Sequence, residues 1–176
     1  LEEAGVKPAG MRAVVLGAGG AARAVAVHLA LSGVSRLTIS NRTAERAGRL
    51  AALVRNLVPG TEAEAVASGS EEEAAVLAEA DLVVNCTPLG MHPDGVDLTP
   101  LPRIDLLPPG AVVYDTVYRP RETRLLREAR QRGLRTISGV GMLVHQGACA
   151  WEYWFGRRGP VSVMAEAARR ALEAME

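Results

Sequence analysis

The chain has 176 residues, the size of one ordinary domain, of which 48% are hydrophobic and 23% charged; that balance excludes a disordered polypeptide. Lys+Arg and Asp+Glu both number 20, so there is no net basic field to attract nucleic acid. No apolar run approaches the roughly 18 residues that cross a bilayer, and neither nucleic acid nor membrane is an expected partner.

In chain order, Leu1-Glu2-Glu3-Ala4-Gly5 reads as the last turn of a helix already under way, which makes the chain look like a fragment. Arg12 to Leu16 reads as a strand and Gly20 to Ser32 as a helix ended by Gly33. Arg36 to Ser40 is a second strand, and Thr43 can cap a helix over Ala44 to Val58 that stops before Pro59-Gly60. Thr61 to Val66 is a third strand that its alanines and glutamates barely announce. Glu71 to Ala78 reads as a short acidic helix, Asp81 to Cys86 and Ala111 to Thr116 as buried strands, and Pro88 to Pro109 as a long proline-rich loop. A helix over Thr123 to Arg132, a short strand over Arg135 to Ser138, and helices over Val140 to Phe155 and Val161 to Met175 complete the pattern. Strands alternating with helices predict a doubly wound α/β fold, Rossmann-like, with a mostly parallel sheet covered on both faces. Its ligands are expected beyond the carboxyl ends of the strands.

The first such end carries Leu16-Gly17-Ala18-Gly19-Gly20-Ala21-Ala22-Arg23. Gly17 can turn with positive φ. Gly19 lets backbone approach a diphosphate, and Ala22 lets helix pack on strand. The first N–H groups of the helix have no internal partners and suit an anion. Strand, glycine turn, helix and strand together predict a dinucleotide site.

The second strand ends in Asn41-Arg42-Thr43, with Arg46 one helical turn on. An NAD site usually has Asp or Glu there, about 20 residues after the glycines, to hold the ribose 2′-hydroxyl. Here an arginine and a hydroxyl replace the acid. A guanidinium pairs with a 2′-phosphate that a carboxylate would repel, so the expected cofactor is NADP. The blander alternatives are a solvated Arg42 and a plain N-cap at Thr43.

Asn85-Cys86-Thr87-Pro88-Leu89-Gly90-Met91 follows a buried strand; it can hydrogen-bond a ribose or simply order its own turn. In the helix opened by Gly139, residues Val140, Leu143, Val144, Gly147, Trp151 and Trp154 share helical spacing and read as a core stripe. Met142, Gln146, Cys149 and Tyr153 form a second stripe, with Gln146 its polar member nearest the expected cleft. The aromatics of Trp151-Glu152-Tyr153-Trp154-Phe155 read first as core packing and second as a docking surface. Cys86 and Cys149 read as reduced thiols of a cytosolic protein. His28, His92 and His145 show no metal spacing, and none has an evident general-base partner. No catalytic residue is expected in this chain.

Together these segments, with Asp115-Thr116-Val117-Tyr118-Arg119-Pro120 and Thr123, resemble the C-terminal NADP-binding domain of the shikimate dehydrogenase family, in that family's order and over nearly the whole chain. The resemblance implies reversible hydride transfer between NADPH and the ring ketone of 3-dehydroshikimate, giving shikimate, a step of aromatic amino-acid biosynthesis. It implies that Gly19, Gly20 and Ala21, beside the turn at Gly17, hold the diphosphate. Asn41, Arg42, Thr43 and Arg46 would hold the 2′-phosphate side, and Thr87, Gly139 and Met142 the ribose–nicotinamide region. Tyr118 and Gln146 would reach the substrate. The family's catalytic lysine and aspartate belong to an N-terminal substrate domain, of which no pattern is seen here. Lys7, the sole lysine, stands in the wrong context to replace the first. Residues 1–10 would then be the end of the interdomain helix, and residues 160–176 a helix packing back on the substrate domain. On this reading the chain binds NADP(H) without reducing dehydroshikimate unaided. The alternatives are a stand-alone NADP-binding regulatory module, a quinate-using relative, and another NADP reductase with a related domain, such as glutamyl-tRNA reductase.

Overall fold

The computed structural model describes residues 1–175. Six strands, β1 (Arg12–Leu16), β2 (Arg36–Asn41), β3 (Ala63–Ala67), β4 (Leu82–Asn85), β5 (Val112–Asp115) and β6 (Arg135–Ile137), form one sheet in the order β3-β2-β1-β4-β5-β6. Every pairing is parallel. The order reverses direction between β1 and β4, which creates a crevice beyond their carboxyl ends.

Side-chain alternation explains the two layers. Ala13 and Val15 of β1, Leu82 and Val84 of β4, and Val112 and Tyr114 of β5 point to one face. There they meet Ala22, Ala26 and Leu29 of α1 (Gly20–Leu31) and Ala47, Leu50, Ala51 and Val54 of α2 (Ala44–Leu57). Val14, Leu16, Val83 and Val113 point to the other, against Leu77 of α3 (Glu71–Ala78) and Leu125, Leu126 and Ala129 of α4 (Arg124–Gln131). Each such Leu, Ile or Val taken from water contributes ~1.5–3 kcal/mol. The edge strand β3 buries only Ala63, which is why its sequence signal is weak.

Leu1 to Gly5 forms a 3₁₀ turn over Glu2–Ala4, closed by Gly5 at φ 65°. Val6 then enters the core. Inside the long loop a second 3₁₀ turn, Ile104–Leu106, buries Ile104.

The final helices, α5 (Val140–Phe155) and α6 (Val161–Glu173), pack on each other. Gly159 lies so close to α5 that a Cβ there would meet the Ala148 Cα at 2.6 Å. The expected core stripe of α5 is corrected beyond its first turns. Val144 is buried, and so is Ala148, but Trp151 is 39% exposed and Trp154 72%. Helical spacing puts these residues on one face without saying what covers it, and the carboxyl half of α5 leaves them open to solvent.

Candidate functional site

Gly17 occupies the crevice between β1 and β4 at φ +105°, and a Cβ on it would stand 3.2 Å from the Cys86 carbonyl and from Thr87 Cγ2. The Gly17 N–H donates to the Ser40 carbonyl (2.7 Å) and the Cys86 N–H to the Leu16 carbonyl (2.8 Å). The glycine turn, the end of β2 and the end of β4 are thus pinned together. Gly19 precedes α1 in extended backbone, and no side chain caps the helix. Gly19, Gly20 and Ala21 are exposed. By contrast α3 and α4 are capped, by Ser70 and Thr123. The opening of α1 therefore offers its N–H groups to solvent, where an anion can take them.

At the end of β2, Asn41 is half-buried and its amide donates to the Thr43 carbonyl (2.9 Å). Thr43 occupies the N-cap position of α2 without making the side-chain capping bond, and its hydroxyl has no hydrogen-bond partner among the described residues. Arg42 and Arg46 are exposed and have no ion-pair partner among the described residues. A carboxylate does reach this region, from Glu73 on α3. It is buried, and its oxygens accept from the Ser40 hydroxyl and from the Gly69 N–H.

Beyond β4 and β5 lies a polar cluster. Asp115 and Asn85 have no exposed surface and Thr123 almost none. The Asn85 amide donates to Asp115 Oδ1 (2.9 Å), as does the Val117 N–H (3.0 Å), and the Thr123 hydroxyl donates to Oδ2 (2.6 Å). Asn85 Oδ1 in turn accepts from the Thr87 N–H (2.8 Å) and hydroxyl (2.7 Å). Burial pushes the Asp115 carboxyl up from the ordinary range, and the bonds from Thr123, Val117 and Asn85 oppose that shift. Burial, followed by the nearby Asp115, pushes the Cys86 thiol up to about 12. The Tyr114 phenol is pushed up to about 12, again chiefly by burial.

Gly139 opens α5 against this cluster. Its N–H donates to the Val117 carbonyl (3.2 Å), and a Cβ would overlap the Thr116 carbonyl oxygen at 2.1 Å. Met142, one turn on, packs against the α1–α2 side of the core. Tyr118 is 42% exposed and Gln146 lies on the open side of α5. No hydrogen bond joins these two among the described residues. His145, beside Gln146, holds Glu3 Oε1 through Nε2 (2.9 Å). Asp115 and Thr123 were legible in the sequence only as parts of a motif, and Glu73 only as one acid of a charged helix.

A parallel sheet in this order, with an uncapped glycine turn at its reversal point, defines a Rossmann-like α/β domain. Residues 3–90 match the shikimate / quinate 5-dehydrogenase family, and residues 139–169 match the shikimate 5'-dehydrogenase C-terminal domain. The chain belongs to the shikimate / quinate 5-dehydrogenase family. It is 66% identical over 173 residues to the shikimate dehydrogenase (NADP(+)) of Symbiobacterium thermophilum, covering 98% of this chain and 58% of that protein. A crystal structure of shikimate 5-dehydrogenase from Listeria monocytogenes, in complex with shikimate and NAD, superposes with a TM-score of 0.87 at 34% identity, over 95% of this chain and 58% of that one. The Thermus thermophilus enzyme in complex with NADP(H) and shikimate gives 0.81 at 40% identity, over 98% and 59%. The chain thus spans about 58% of the length of these curated relatives.

Proposed function

We propose that this chain is the NADP(H)-binding part of a shikimate dehydrogenase, an oxidoreductase interconverting 3-dehydroshikimate and shikimate. The observation that carries the cofactor reading is the end of β2. Arg42 and Arg46 lie at the positive end of α2 without a carboxylate partner among the described residues, where each cation costs ~0.3–1 kcal/mol. A 2′-phosphate offsets that cost and adds charged hydrogen bonds worth ~1.5–3 kcal/mol each. Glu73 turns its two oxygens to the Ser40 hydroxyl and the Gly69 N–H rather than offering them to Arg42 or Arg46.

The bound cofactor would supply the hydride for the ring ketone. The chain's own residues bind and orient. The open N–H groups at Gly19, Gly20 and Ala21 receive the diphosphate. Asn41, Arg42, Thr43 and Arg46 receive the 2′-phosphate side. Thr87, Gly139 and Met142 line the ribose–nicotinamide region, and Tyr118 and Gln146 face the substrate. Proton handling falls to a lysine and an aspartate of an N-terminal substrate domain, a contribution of ~10²–10⁴-fold. The side chains of Tyr153, Trp154 and Phe155 on α5 and Val163 on α6 are 57–88% exposed. We assign that apolar surface, with the turn at Glu2–Ala4, to contact with the substrate domain.

The test is a thermal shift with NADP+ against NAD+. At 100 times its Kd a ligand stabilises by ~2.7 kcal/mol, about 5–11 °C for a chain of this size. A larger shift with NADP+ is expected; equal shifts at equal concentration would overturn the reading of Arg42 and Arg46.

A further inference from the structure

We propose that Asp115 is a positioning residue that sets, through one buried carboxylate, both the turn carrying Thr87 and the turn carrying Tyr118. The proposal rests on the reading of those turns as the nicotinamide and substrate sides of the site.

Asp115 and Asn85 are register partners at the last rung of the β5–β4 ladder. The Asn85 amide nitrogen has two acceptors, the Leu89 carbonyl at 3.3 Å and Asp115 Oδ1 at 2.9 Å, and the shorter bond is to the carboxylate. A carboxylate accepts only, so Asp115 Oδ1 holds the Asn85 Nδ2. That leaves Asn85 Oδ1 facing the Thr87 N–H and hydroxyl. The hydroxyl proton of Thr87 is thereby committed inward, and one of its lone pairs accepts from the Leu89 N–H (3.3 Å). Toward a ligand Thr87 presents a remaining lone pair. It is an acceptor, suited to a ribose hydroxyl or a carboxamide N–H.

The same Oδ1 takes the Val117 N–H, a side-chain-to-backbone bond two residues on that shapes the turn into Tyr118. The Val117 carbonyl then receives the Gly139 N–H, and Gly139 opens the helix bearing Met142 and Gln146. Asp115 Oδ2 is held by Thr123, whose hydroxyl also accepts the Leu126 N–H (3.4 Å) as the cap of α4. Two strand ends and the starts of two helices therefore share one acceptor. A buried carboxylate without a cationic partner is a poor choice for stability alone, whereas an acceptor that cannot be misread is what orientation requires.

The experiment compares D115N with the wild-type chain in two ways. Hydrogen exchange at the Thr87 and Val117 amides reads the device without ligand. Titration with NADPH and with 2′,5′-ADP, the adenosine half alone, reads its consequence. In D115N the Asn85 amide loses its carboxylate acceptor and keeps the longer bond to the Leu89 carbonyl. Both amides should exchange about tenfold faster, NADPH should bind about tenfold more weakly, and 2′,5′-ADP should stay within about twofold of wild type. T123S, which keeps the hydroxyl, should match wild type, and T123V should move in the direction of D115N. Unchanged exchange at both amides, or equal weakening of both ligands, would overturn the proposal. If D115N does not fold, the T123S and T123V pair decides by the same readouts. A wild-type chain that binds neither ligand counts against the NADP reading, while the exchange data still judge Asp115.

Discussion

Gly139 and Gly141 stand two residues apart at the start of α5, and replacing each by alanine should have opposite effects. Gly139 has φ −70°, so alanine meets no conformational barrier there. Its Cβ, however, would lie 2.1 Å from the Thr116 oxygen, 2.4 Å from the Thr116 carbonyl carbon and 2.7 Å from the Val117 oxygen. These are backbone atoms at the end of β5, tied by the Asn85 and Asp115 hydrogen bonds, so no side chain can swing aside. Restoring van der Waals contact requires the start of α5 and the β5 turn to part by about 1 Å, an overpacking that costs ~1–3 kcal/mol or more. For a chain of this size that lowers Tm by about 2–12 °C. Gly141 has nothing within 4 Å of its Cβ position. Alanine there should stabilise the helix by ~0.5–1 kcal/mol. Thermal melts of G139A and G141A, followed by circular dichroism, check the pair. Equal melting temperatures would refute the claim that the approach of Gly139 to β5 is structural.

Four further outcomes are expected. R42A should lose ~1.5–3 kcal/mol of NADP+ affinity while NAD+ affinity barely changes, measured by titration calorimetry. Exposed Cys149 should react at once with a thiol reagent at neutral pH, whereas half-buried Cys86, whose thiol is pushed up to about 12, should react only on unfolding; two fast equivalents would contradict this. Because Cys86 and Tyr114 are raised in the folded chain, their contribution is complete below the ordinary thiol and phenol range and is lost as pH climbs from ~9 toward about 12; an alkaline melt series should show falling Tm there. Asp81 is lowered by its hydrogen bonds from Arg12 (2.8 and 3.1 Å), so its contribution is present above the ordinary carboxylate range and lost as pH falls through the depressed value. D81N should cost ~0.5–1 kcal/mol at pH 7, given the exposure of the pair, and should flatten that acid limb.

What the sequence revealed and what it withheld follow from the range of the forces involved. The apolar runs of β1, β4 and β5 announce strands because both faces of each are buried, and the glycine turn announces itself because its requirements are local. Trp151 and Trp154 were read as core because period 3.6 says which residues share a face and nothing of what lies opposite. The Asp115 cluster was out of reach for a stronger reason. Its members are 30 residues apart at Asn85 and Asp115, and only the β4–β5 register brings them into contact. Gly139 is the sharpest case. Its backbone is ordinary, so no turn rule flags it; the need for glycine arises from a carbonyl on another strand. The residues that read as ligand contacts are thus the legible half of the site. The groups that aim them, Asn85, Asp115 and Thr123, are buried polar residues that an apolar pattern would treat as interruptions. Such interruptions at strand ends are where orientation is bought at the expense of stability, which is the physical reason to look for positioning residues there.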